Sequence, residues 1–209
     1  MKLKICGLNP TRDVQLCIDL NVHFLGFVFY NKSPRNIDLK EIDVLKKYNP
    51  KSSLFVSVCV NPTDKFIKEN ILGNFDYIQL HGSETLKRVK EIKKMGIKVI
   101  KAIKVKEHKD IALHENYKDI ADLILFDSTS MEKSQSIPKD LLYKLPKGEK
   151  FGLAGAINHE NIQEYSQLGF NFLDLSSGLE RENLKGYKDH LKIKNFINKV
   201  NEINENTSV

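Results

Sequence analysis

No run in this chain approaches the ~18 consecutive apolar residues of a membrane span, and the stretch after Met1 lacks a signal peptide's apolar centre. Those absences point to the cytoplasm and to no membrane partner. Cysteine is scarce: Cys6, Cys17 and Cys59 are odd in number and far apart, so they suit neither a disulfide framework nor a CxxC metal pair. The histidines fall outside any HxxxH or HExxH pattern, and no metal is expected. Tryptophan is missing altogether, and no linker or low-complexity stretch divides the chain. Residues 1–209 therefore read as one domain with a frayed tail from Asn204.

A basic patch threaded with aromatic residues is also missing. The formal charge is +6, but the lysines are interleaved with acids, as in Glu84 with Lys87 and Glu91 with Lys90, Lys93 and Lys94. That is the pattern of solvated helix faces, so no nucleic-acid partner is expected. A basic mouth that draws in an anionic metabolite fits the same charge.

What the chain does have is short apolar runs at even intervals. They are Leu3–Cys6, Phe24–Phe29, Leu54–Val60, Tyr77–Leu80, Val99–Ile103, Leu123–Phe126, Phe151–Ala154 and Phe172–Leu175. Their near-continuous hydrophobicity predicts strands buried on both faces. Helix-period segments lie between them: Val14, Cys17 and Ile18 share a face, as do Leu86, Val89 and Ile92, and later Ile193, Phe196, Ile197 and Val200. Asn9-Pro10 and Asn61-Pro62 predict capped helix starts; Gly96 and Gly169 predict helix ends. Only Pro138–Tyr143 offers a helix after the sixth strand. The expectation is an α/β fold, a (β/α)₈ barrel of eight parallel strands with a shortened sixth helical segment. A doubly wound sheet shares this alternation, but no GxGxxG turn follows the first strand.

In such a barrel the chemistry sits where strands end and the following loops begin. Read in order, those junctions hold Cys6-Gly7, Ser33-Pro34-Arg35, Asn61, His81-Gly82, Lys104, Asp127-Ser128, Gly155-Ala156 and Ser176-Ser177-Gly178. Taken alone, Cys6 reads as packing or as a base that needs a positive neighbour. Asp127 reads as a turn cap or a proton donor. Asp174 lies inside the last strand, where an acid is costly unless paired or lining a site. Small residues after the last two strands let backbone N–H groups approach an anion. Arg35 suits a carboxylate, and His81 reads equally well as an ordinary loop residue.

Together and in order, Lys4-Ile5-Cys6-Gly7, Ser33-Pro34-Arg35, Gln79-Leu80-His81-Gly82, Phe126-Asp127 and Ser176-Ser177-Gly178-Leu179-Glu180, followed by Gly186-Tyr187-Lys188-Asp189, resemble the phosphoribosylanthranilate isomerase family. The resemblance implies an isomerase of tryptophan biosynthesis. Its reaction is the Amadori rearrangement of N-(5-phosphoribosyl)anthranilate to 1-(2-carboxyphenylamino)-1-deoxy-D-ribulose 5-phosphate. Asp127 then matches the general acid that opens the furanose, and Cys6 the base that removes the C2′ proton. Arg35 matches the partner of the anthranilate carboxylate, with His81 and Asp174 lining the site. The backbone around Gly155, Ala156, Ser176, Ser177 and Gly178 matches the phosphate cradle. The protonated imine is the electron sink, so no cofactor is implied. The substrate is a small phosphorylated molecule, and the protein is expected to be a monomer or homodimer.

Two departures from the pattern stand out. Where the family carries a glycine-rich loop after the sixth strand, Met131–Pro138 has no glycine; and a usual Gly-Gly after the seventh is Gly155-Ala156. The first leaves open a different class of function, a non-catalytic barrel that binds an anionic phosphorylated ligand. A related isomerase of the histidine pathway carries aspartate at the end of the first strand, and Cys6 argues against it.

Overall fold

The computed structural model describes residues 1–128 and 136–207. Eight parallel strands close into a barrel in chain order: β1 Lys2–Cys6, β2 Phe24–Phe29, β3 Leu54–Cys59, β4 Tyr77–Leu80, β5 Lys98–Lys104, β6 Leu123–Asp127, β7 Gly148–Ala154 and β8 Phe170–Leu175. The eight apolar runs are the eight strands. Alternate side chains point opposite ways. Phe24, Val28, Val56, Val58, Ile100, Ala102, Leu123, Leu125, Ala154 and Phe172 pack inside the barrel as one cluster. Their neighbours, among them Ile5, Leu25, Phe27, Ile78, Val99, Ile124, Phe126 and Leu173, pack outward with the helices. Burial on both faces is why the strands show no alternation of apolar and polar residues.

The helices supply the outer layer. In α1 (Val14–Asp19) the buried residues are Val14, Cys17 and Ile18, the face expected from their spacing. In α4 (Leu86–Lys93) Val89 and Ile92 are buried, and Gly96 and Gly169 adopt positive φ beyond the helices they end. The long C-terminal helix, His190–Thr207, buries Ile193, Phe196, Ile197, Val200 and Ile203, each contributing about 1.5–3 kcal/mol relative to exposure. Among the described residues after β6 the helical segment is Lys139–Leu142, held by buried Leu141 and Leu142. Of the glycine-free loop Met131–Pro138, residues 131–135 lie outside the described residues, while Ile137 is buried. Among the described residues no helix is long and apolar enough to cross a membrane.

Three local features differ from the sequence reading. Asn9 caps a turn through Thr11 and Arg12, and helix proper begins only at Val14. Asn61 does not cap the next helix: it has φ +47, and its side chain accepts from Ser83 N instead. Thr63 caps there, accepting from Phe66 N at 3.2 Å. Beyond β8 the chain adds a short hairpin, β9 (Glu180–Arg181) and β10 (Leu184–Lys188), that the apolar pattern does not reveal.

The loop after β7 carries strain. Ala156 sits in the left-handed region at φ 51, where its methyl group costs roughly 1–2 kcal/mol. Asn161 Nδ2 holds it there by donating to the Ala156 carbonyl at 2.9 Å. Ala156→Gly is therefore expected to stabilise the fold by about 1 kcal/mol, read as a higher urea midpoint at unchanged slope. A lower midpoint would contradict the strain.

Candidate active site

Strand parity decides which polar residues meet. On β1, Leu3 and Ile5 point outward into the helical layer, so Lys4 and Cys6 point inward. The same alternation turns Gln79 on β4, Asp127 at the end of β6 and Asp174 on β8 toward the barrel interior. These side chains interrupt an otherwise apolar inner cluster at its C-terminal end, where the loops of a parallel barrel build its site.

The first group spans the seam between β8 and β1. Lys4 pairs with Asp174 in strand register, and its Nζ lies 2.8 Å from Asp174 Oδ2 with the lysine fully buried. Asp174 Oδ1 is buried and has no hydrogen-bond partner among the described residues. The Lys4 ammonium also lies near the Cys6 sulfur, both being 3.1 Å from where a β-carbon on Gly26 would stand. Burial works against the Lys4 charge, but Asp174 and Cys6 hold its pKa above the ordinary lysine value. Burial pushes Asp174 up, opposed by Lys4. Cys6 keeps partial exposure; desolvation pushes its thiol up, Lys4 pulls it down, Asp174 raises it and Lys188 lowers it. The positive neighbour that the sequence reading required is thus Lys4, two residues away.

The second group faces it across the mouth. His81 Nε2 lies 3.2 Å from Asp127 Oδ2, and Gln79 Nε2 lies 3.0 Å from His81 Nδ1. With the Gln79 amide donating, Nδ1 is the acceptor and the ring proton sits on Nε2, toward Asp127. His81 is therefore no idle loop residue. Its loop is clamped by buried Lys101, which donates to the Gly82 carbonyl at 2.9 Å and pairs with Glu84 at 2.7 Å. Glu84 in turn accepts from the backbone N–H groups of Asn61 and Gly82.

A third group lies over β8. Arg35 makes a two-pronged pair with Glu180, Nε to Oε1 at 2.6 Å and Nη2 to Oε2 at 3.0 Å. Lys188, fully buried on β10, donates to the Ser176 carbonyl at 3.0 Å and to Glu180 at 3.2 Å. Burial pulls Lys188 below the ordinary lysine value despite Glu180 beside it. The Ser176 hydroxyl donates to the Cys6 carbonyl at 3.1 Å, which ties the loop after β8 to the end of β1. Gly178 lies against the Ile157 carbonyl, so the loops after β7 and β8 abut. A cavity of about 280 Å³, lined by Asn158, His159 and Lys192 among others, meets this loop at Gly178 and Leu179 and is lined by neither Cys6 nor Asp127.

The residues singled out in the sequence thus gather at one mouth, except that Arg35 is already engaged by Glu180. Reading the sequence missed Lys4, Gln79, Glu84, Lys101 and Lys188 as contributors. Strand parity was the available signal for Lys4 and Gln79. A lysine at an inward position of a buried strand must find a partner.

The chain and its fold have counterparts among known proteins. The family model for N-(5′-phosphoribosyl)anthranilate (PRA) isomerase matches residues 3–199. The N-(5′-phosphoribosyl)anthranilate isomerase of Aquifex aeolicus is 34% identical over 96% of this chain and 98% of its own length. That of Staphylococcus aureus is 35% identical over 99% and 100%. A crystal structure of phosphoribosyl anthranilate isomerase in complex with reduced 1-(o-carboxyphenylamino)-1-deoxyribulose 5-phosphate superposes with a TM-score of 0.80 at 27% identity, covering 97% of this chain and 99% of that one. The chain belongs to the N-(5′-phosphoribosyl)anthranilate isomerase family.

Proposed function

We propose that this barrel isomerises N-(5′-phosphoribosyl)anthranilate in tryptophan biosynthesis, with Asp127 as general acid and Cys6 as general base. The observation that carries the assignment is placement. Cys6 ends β1 and Asp127 ends β6 of one closed parallel barrel, with Asp174 on β8 paired to Lys4 at 2.8 Å. An acid and a base on separate strands therefore face the same end of the barrel.

Ring opening needs a proton on the furanose oxygen. Asp127 supplies it, oriented by the His81 ring at 3.2 Å. Opening leaves a protonated imine, which acidifies C2′–H. Cys6 removes that proton, and the enolamine collapses to the ketone. The unpartnered Oδ1 of Asp174 supports a contact to a sugar hydroxyl, because a buried acceptor left without a donor costs about 1–3 kcal/mol. Arg35 keeps further N–H groups beyond the two that Glu180 takes, and these suit the anthranilate carboxylate. The abutting backbones at Gly155-Ala156 and Ser176–Gly178 suit the phosphate. No step requires a metal or cofactor.

Cys6→Ser and Asp127→Asn are each expected to lower kcat by about 10²–10⁴-fold with the melting temperature unchanged, followed by the loss of anthranilate fluorescence on turnover. Near-normal turnover in either variant would refute that residue's role, and no turnover by the unmodified protein would leave a phosphate-binding barrel instead. A thiol held above its ordinary pKa is a strong base with a small ionised fraction at neutrality. The ultraviolet absorbance of the thiolate, taken as the difference between the unmodified protein and Cys6→Ser, should therefore keep rising through the alkaline range, and a plateau reached near neutrality would contradict a thiol held up by burial.

A further inference from the structure

The space between thiol and ammonium is kept open by a residue on the neighbouring strand. A β-carbon placed on Gly26 of β2 would stand 3.1 Å from Cys6 Sγ and 3.1 Å from Lys4 Nζ. Gly26 is the register partner of Cys6, so its missing side chain faces the same inward point. Lys4 has no exposure, and Asp174 Oδ2 fixes its position at 2.8 Å. A lysine this deep in a barrel is costly unless its charge is used.

We propose that Lys4 is a positioning residue for the base: its ammonium, anchored on Asp174, supplies the countercharge for the Cys6 thiolate, and Gly26 holds open the gap in which they meet. One ammonium serves two anionic partners. While Asp174 is ionised it takes most of the Lys4 charge, and Cys6 rests as a thiol. The other charges acting on the thiol are Lys188 from β10, itself held by Glu180, and, through Asp174, the facing Asp127 and His81. Of these, only Lys4 is shared directly between Asp174 and Cys6. A donor bound to Asp174 Oδ1 weakens that carboxylate's pull on Lys4 and favours the thiolate when the sugar is in place.

This inference rests on the reading of Cys6 as the base, but its test does not use turnover. Cys17 and Cys59 are buried, with thiols pushed up to about 12, so alkylation of the native protein by iodoacetamide reports Cys6. Asp174→Asn is expected to move the pH profile of alkylation downward, because Lys4 then serves the thiol alone. Adding Lys4→Met to Asp174→Asn is expected to move it back up by about 1–3 pH units; these two proteins differ only in Lys4. Superimposed profiles would overturn the proposal. Gly26→Ala, whose methyl group would meet Cys6 Sγ and Lys4 Nζ each at 3.1 Å, is expected to shift the unmodified protein's profile upward by crowding thiol and ammonium apart, and an unchanged profile would likewise overturn it. Should Cys6→Ser retain turnover, the base assignment falls while the alkylation profiles still decide the contact.

Discussion

The buried pair between Lys4 and Asp174 is the constraint on which the rest of the site depends. It joins the first strand to the last across 170 residues of sequence, the longest-range pairing that a barrel must make to close. Other polar contacts link the start of the chain to its end: Ser176 to the Cys6 carbonyl, and His190 to Asp13 at 3.0 Å. An isolated charge at either position would be expensive, and removing one partner of a buried pair typically costs about 3–5 kcal/mol. The strand pairing that places Lys4 beside Asp174 also sets Cys6 one inward step further toward the mouth. Closure of the fold and placement of Cys6 are therefore the same event.

Asp127 is held by an independent device. Asp127 receives its orientation from His81, whose ring is set by Gln79. The backbone on both sides of His81 is fixed by Lys101, through the carbonyls of Leu80 and Gly82. Each device holds an inward strand residue through a partner from another element, and a buried lysine stands in each. Full use of a lysine's three donors makes the Lys101 clamp rigid, because Leu80, Gly82 and Glu84 take one direction each. Lys4 has fewer fixed partners. That difference fits a structural role for Lys101 and an electrostatic one for Lys4.

The strands were legible because burial on both faces leaves a continuous apolar signature, and their order follows from alternation with helices. Cys6 and Asp127 were legible as ionisable groups at strand ends. Lys4 was not: a lysine at the third residue of a short strand looks solvent-facing until the parity of Leu3 and Ile5 is fixed by the fold. Lys188 and Glu180 escaped because β9 and β10 are short and charged, and their burial depends on packing over the barrel mouth. The Asn61 cap failed for a related reason. Its carboxamide found a better use across the mouth, at Ser83, and local capping lost to a tertiary contact.

Arg35 shows how the same tertiary context changes a residue's chemistry. An arginine on an open loop loses considerable side-chain entropy when it grips a ligand carboxylate. Here Glu180 has already restrained it, with Lys188 bracing Glu180 from below. Burial opposes the Glu180 charge, but Arg35 and Lys188 keep its pKa below the ordinary glutamate value, so the restraint persists at neutral pH. The guanidinium is planar and its two-pronged pair fixes that plane. What remains of its donor edge points in a set direction, which is preorganisation of the kind that binding favours. The short hairpin that apolar patterning overlooks is thus what orients an arginine the sequence motif singled out. Its two strands are small because their task is to deliver Glu180 and Lys188 to the barrel mouth, and the apolar core is supplied elsewhere.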